Sequence, residues 1–376
     1  MNKKVILNFY FFISLMIIIF PASELFLVEG ILDDGDLETY LFFLLVVVAL
    51  GFFILKDSIL QVKGIVRSDR DIIKSSHLIM LSLLSFILFL AFVLNEVSNQ
   101  LELLAFSEEY RNGFYKGSGK YTFWILNVIP ALLSFIMLKQ KKLNKAFYFS
   151  LGMVVVSAFL VGLRIFLYSI VFLSIIRMIY QYKLNKTLVY FALILTFLFG
   201  FKVYLNNEVA DKSFTEKVIM LLARTNYRTT LESNHLTSNF GASKGILLPI
   251  SLLTDVSITD FKTSFVQNID DAKVRLGLPR LSSYAGVAIP MGVYLYNTSG
   301  GAIGLIVLLP IILLTFYCLY KASTCINIFK SSIYLGLFIS LLGSLTEDIN
   351  FLNKVFSLTI IYGFLSFLWI AKRINL

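Results

Sequence analysis

The chain of 376 residues is 58% hydrophobic and only 15% charged, with a mean hydropathy of +0.82; soluble domains are nearer half apolar and a quarter charged. Its apolar runs are continuous and many are long enough to cross a hydrocarbon core of about 30 Å, which excludes a soluble globule and argues against a β-barrel. The net charge of +10 would suggest nucleic acid in a soluble protein, but here the lysines and arginines that orient membrane helices account for it. The fold class expected is an all-α polytopic integral membrane protein, with about 10 transmembrane helices (10–12) and one large, partly helical external loop.

The first apolar run, VILNFYFFISLMIIIF after Lys3 and Lys4, is longer than the ~7–15-residue core of a signal peptide. It is read as an uncleaved first helix. In chain order the spans are expected at 5–22, 39–55, 75–94, 122–138, 146–163, 165–182, 187–205, 300–320, 331–346 and 352–370. That divides the chain into a membrane part over 1–205 with seven spans, an external loop over 206–299, and a membrane part over 300–376 with three spans. Two short apolar pieces of the loop, ILLPISLL and AGVAIPMGVYLY, read as interfacial or re-entrant segments. Cys318 and Cys325 lie near the end of one span, and neither a disulfide nor a cysteine metal site is expected. The Lys-, Ile-, Asn- and Phe-rich composition suggests an AT-rich bacterial coding bias.

Lysine and arginine fix the orientation. One alternating set of connections holds Lys3, Lys4, Lys56, Lys63, Arg67, Arg70, Lys74, Lys139, Lys141, Lys142 and Lys145. It continues with Arg177, Lys183, Lys186, Lys321, Lys330, Lys372 and Arg373. The opposite short connections hold only Arg111, Lys116, Lys120, Arg164 and Lys354. The first set is therefore expected in the cytoplasm, with both termini, and the protein in the bacterial inner membrane. No Walker motif, HExxH or GxSxG occurs. No internal repeat or matched pair of broken helices points to a secondary transporter.

Arg164 stands alone in the apolar run Ala146–Ile176. As one helix that run would measure about 46 Å, too long for one crossing. Both flanks carry cytoplasmic lysines, so the run is expected to be a hairpin with Gly162-Leu163-Arg164 at its outer tip. Arg164 there either snorkels to lipid headgroups or clamps an anion at a helix start.

Three further groups are candidates on the outer face. In VIMLLARTNYRTTLESNHLTS, Arg224 and Arg228 share one helical face. They either form a salt-bridged helix with Glu232 or meet an anionic substrate. His235 follows as a structural histidine or a base. Arg275, Arg280 and Tyr284 precede the return to the membrane, where they touch lipid phosphates or substrate. Glu347 and Asp348 lie at the tip LTEDIN, where they cap a turn or one of them serves as a base.

The chain resembles the Wzy-type polymerases of O-antigen and capsule repeat units, which are related in layout to the O-antigen ligases. The resemblance lies in the span number, the cytoplasmic ends, the large external loop in the second half, the GLR tip at Gly162–Arg164, and the span entry LYNTSGGAIGLIVLLP from Leu295. It implies a glycosyltransferase-type enzyme using a lipid-linked donor at the external face of the inner membrane. The growing glycan, held on undecaprenyl diphosphate, would pass to an incoming lipid-linked repeat unit. Arg164, Arg224, Arg228, His235 and Glu347 would be catalytic; Arg275, Arg280 and Tyr284 would bind substrate. No metal or cofactor is implied. The implied partners are the undecaprenyl-diphosphate-linked glycan and membrane lipids, with a chain-length regulator and a flippase as further candidates, and no nucleic acid. The alternatives are an O-antigen ligase, or a flippase or transporter of lipid-linked oligosaccharide. His235 stands early in the loop, whereas a ligase would place its histidine near the loop's end. A flippase would carry charges along mid-membrane faces and show two related halves.

Overall fold

The computed structural model describes residues 35–57, 71–97, 128–161, 177, 290–298 and 301–346, with several positions between 10 and 22. Its elements are α-helices: α1 (Gly35–Asp57), α2 (Ser75–Val97), α3 (Ile129–Lys139), α4 (Lys145–Val161), α5 (Met291–Thr298), α6 (Ala302–Ile306), α7 (Leu308–Thr324) and α8 (Ile328–Thr346). Among the described residues, three stretches are long and apolar enough to cross a membrane: Leu37–Leu55, Ile303–Thr324 and Ile328–Thr346. The protein is a helical membrane protein.

Local chemistry accounts for several helix ends. Asn144 caps α4, its side-chain oxygen accepting the Phe147 N–H at 2.9 Å. Asn327 caps α8 in the same way, accepting from the Lys330 N–H at 3.1 Å. Pro130 occupies the first turn of α3, where its missing N–H leaves nothing unpaired. The break between α6 and α7 falls at Val307, next to Ile306, four residues before Pro310, whose ring removes the bond to the Ile306 carbonyl and crowds it. Gly301 ends the turn after α5 with φ of 72°, a value that side chains disfavour. Its N–H donates to the Tyr296 carbonyl at 2.8 Å and closes the helix end.

The packing is built around α3, all of whose residues are buried. A helix apolar on every side belongs in the middle of a bundle. α7 and α8 form a closely packed hairpin, tied where the Ser331 hydroxyl donates to the Ala322 carbonyl at 2.6 Å. α2 and α4 pack side by side and run parallel. Ser75 meets Asn144 at 3.0 Å near their starts, and Ser82 donates to Ser150 at 2.8 Å two turns further on. α1 packs along α6 and α7. Tyr10 reaches this seam, donating to the Val48 carbonyl at 2.7 Å and meeting the Phe316 ring edge-on. Gly51 is needed there, since a Cβ would collide with the Tyr10 hydroxyl.

Large apolar side chains remain exposed on α1 (Phe42, Phe53) and on α2 (Met80, Leu84, Ile87). In water such faces would be a liability, whereas hydrocarbon solvates them.

Candidate functional site

The polar chemistry of the described residues gathers at the two ends of the bundle. One end collects the connections 71–75, 139–145 and 323–327. Arg177 is 4% exposed, and its guanidinium donates to the carbonyls of Met137 at 2.6 Å, Gln140 at 2.7 Å and Lys141 at 2.6 Å. These carbonyls close the C-terminal end of α3, where a helix leaves acceptors unpaired and carries its negative pole. Lys139, also buried, does the same for α7. Its ammonium donates to the carbonyls of Cys325 at 3.0 Å and Ser323 at 3.4 Å. Asp71 accepts from the side-chain amides of Gln140 and Asn144 and so ties the start of α2 to the α3–α4 turn.

The other end is aromatic. Tyr40 of α1 and Tyr296 of α5 meet edge-on, with ring centroids 5.5 Å apart. Gly292 lets α5 approach, because a Cβ there would strike the Tyr40 hydroxyl. Gly301 lies against the Tyr296 ring. Tyr40, Tyr294 and Tyr296 are all buried. Burial pushes the Tyr294 phenol up to about 12, so it stays protonated and acts as a donor rather than a base. Glu38 is exposed at the start of α1.

The two ends differ in what they can do. The first holds cations, but the bonds of Lys139 and Arg177 to carbonyls close helix ends. The second offers phenols in an aromatic frame, suited to shaping a site. Among the described residues no group of three or more His, Cys, Asp or Glu side chains is placed to hold a metal ion. Cys318 and Cys325 are free thiols.

The chain matches no family model, no curated protein and no solved structure. Its function therefore has to be argued from its own residues.

All the candidate site residues of the sequence analysis lie outside the described residues: Arg164, Arg224, Arg228, His235, Arg275, Arg280, Tyr284 and Glu347. The same holds for the GLR tip and for residues 206–289 of the external loop, whereas residues 291–298 of that loop form α5. The span entry LYNTSGGAIGLIVLLP is described except at 299–300: it forms the end of α5, then the Gly301 turn, α6 and the start of α7.

Lys139 and Arg177 entered the sequence analysis only as markers of orientation. Their structural part went unread, because a cation's attachment to carbonyls of another helix depends on packing. The usable signal was that Lys139 closes an apolar segment at its last turn, the position where a cation favours a helix end.

Proposed function

We propose that this chain polymerises oligosaccharide repeat units carried on undecaprenyl diphosphate, at the external face of a bacterial inner membrane. The observation that carries the reading is the asymmetry of the bundle. The connections 71–75, 139–145 and 323–327 meet at one end, where 139–145 carries Lys139, Lys141, Lys142 and Lys145, and Lys74 precedes α2. The opposite end is framed by Tyr40, Tyr296 and the glycine-bearing entry to α6. The parallel run of α2 and α4 also supports it, since the alternation of basic connections starts both helices on the same side.

In this reading about ten spans carry the loop over 206–299 on the aromatic side. An acceptor-sugar hydroxyl attacks the anomeric carbon of the growing glycan. The new glycosidic C–O bond forms as the bond to the diphosphate breaks, and undecaprenyl diphosphate leaves. Arg164, Arg224 and Arg228 offer guanidinium groups to the charge that develops on that diphosphate. His235 or Glu347 takes the proton of the attacking hydroxyl. Arg275, Arg280 and Tyr284 hold the lipid-linked units. No nucleotide sugar enters this step.

Deletion of the gene in its native host, with the surface glycan resolved on a gel, tests the proposal. A polymerase leaves single repeat units on the normal acceptor. A ligase leaves the acceptor bare, and an unchanged ladder would overturn both.

A further inference from the structure

The outward-facing stripe of α7 runs Leu314, Tyr317, Lys321, at helical spacing. Leu314 is 49% and Tyr317 40% exposed, and Lys321 is half-buried. Toward the C-terminal end of the helix the stripe passes from aliphatic side chain to phenol to ammonium. A bilayer passes from hydrocarbon to headgroup in the same order, and tyrosines collect at that boundary. Tyr334 of α8 lies alongside, its ring edge-on to Tyr317 with centroids 6.1 Å apart. The turn joining the two helices exposes Ile326 (81%), and the first turn of α8 exposes Phe329 and Lys330. Apolar side chains beside a cation are again the pattern of a membrane interface.

Lys321 has an unusual posture for such a place. A lysine near a helix end ordinarily extends its ammonium outward to water. Here Nζ lies 5.4 Å from the centroid of the Tyr317 ring, one turn back toward the middle of the helix. The ring face attracts the charge and holds it among phenols. Neither α7 nor α8 carries an aspartate or glutamate that would neutralise it. A cation so placed, flanked by two hydroxyl groups and bordered by an apolar stripe, is complementary to one kind of neighbour.

We propose that Tyr317, Lys321 and Tyr334 bind the phosphate of an anionic phospholipid in the leaflet at this end of the bundle. The ammonium and the two phenols donate to the phosphate oxygens, and an acyl chain lies along Leu314. The continuity of the apolar stripe with the cation points to a lipid headgroup rather than to a free anion. The site lies at the opposite end of α7 from Tyr40 and Tyr296, and it does not depend on the polymerase reading.

The test uses the purified full chain in detergent micelles, with phosphatidylglycerol or phosphatidylcholine added at equal mole fraction. Thermal unfolding and native mass spectrometry give the readouts. Phosphatidylglycerol should raise the unfolding temperature more than phosphatidylcholine and be retained preferentially. Lys321→Gln should weaken that preference about fivefold, the share expected of one lysine at a charged membrane surface. Tyr317→Phe with Tyr334→Phe should weaken it as well. Lys321→Arg keeps the cation and should keep the preference, which guards against a variant that merely folds poorly. Lys142→Gln, at an exposed lysine outside the stripe, should leave it unchanged. Equal effects of the two lipids, or of Lys321→Gln and Lys142→Gln, would overturn the proposal. So would inorganic phosphate reproducing the whole shift, since that would mark a free-anion site.

Discussion

Arg177 and Met137 are joined across 40 positions of sequence, the guanidinium Nη1 donating to the Met137 carbonyl at 2.6 Å. The same group holds the carbonyls of Gln140 and Lys141. One side chain thus finishes the C-terminal end of the helix at the centre of the bundle. An arginine suits this task because its planar fork presents several donors in fixed directions.

Removing that fork should be costly. Arg177→Leu removes the guanidinium bonds to the Met137, Gln140 and Lys141 carbonyls, and each hydrogen bond to a charged group contributes about 1.5–3 kcal/mol. Arg177→Lys restores the charge without the fork and should recover only part of the loss. Thermal unfolding of the purified variants checks both. An unchanged unfolding temperature for Arg177→Leu would show that water or a neighbouring side chain takes over.

The Ser82–Ser150 bond joins α2 to α4 inside the bundle. Bonds of this kind between membrane helices couple by about 0.6 kcal/mol on average. A double-mutant cycle of Ser82→Ala and Ser150→Ala should give a coupling of that order. Strict additivity would mean that the two hydroxyls contribute independently.

Gly51 and Tyr10 should show the opposite kind of coupling. A Cβ at residue 51 collides with the Tyr10 hydroxyl, so Gly51→Ala forces that ring off the Val48 carbonyl. Tyr10→Phe removes the colliding oxygen. The double variant should therefore be more stable than the sum of the two single losses implies. Equal destabilisation by Gly51→Ala in both backgrounds would place the strain elsewhere.

Function is tested most directly at Arg164. Arg164→Ala should abolish long glycan chains while the protein still reaches the membrane, measured by gel and immunoblot of the same cells. Full-length glycan would reduce this arginine to a lipid contact. Arg224→Ala and Arg228→Ala should each shorten chains more than Lys244→Ala; equal, mild effects would make the pair a solvated face.

The continuous apolar runs made α1, α2, α4, α7 and α8 legible, since nothing but a spanning or fully buried helix accommodates them. Their ends were less so. α7 continues to Thr324, past the expected end at 320. The hydroxyls of Ser323 and Thr324 donate back to the carbonyls of Leu319 and Tyr320, so polar residues extend the helix instead of ending it. α8 starts at Ile328 rather than 331, because Asn327 supplies a cap. The segment around Tyr294 reads from sequence as interfacial or re-entrant. It is the short helix α5, which docks through Gly292 against Tyr40. The attachment of Lys139 and Arg177 to carbonyls of other segments was not legible, because charge and spacing say nothing of which helix end comes to lie beside them. The chemistry expected of Arg164, Arg224, Arg228 and His235 rests on sequence reasoning alone.

The partners of Lys139 bear on how the molecule is made. Its acceptors, the carbonyls of Ser323 and Cys325, are synthesised 184 and 186 residues later. At a translation rate of about 5–20 residues per second that is a delay of roughly 9–40 s. Throughout it neither of these two bonds can form. The early helices therefore enter the bilayer before the contacts of Lys139 to the far end of α7 exist, and this end of the bundle is completed only after the second half of the chain has arrived.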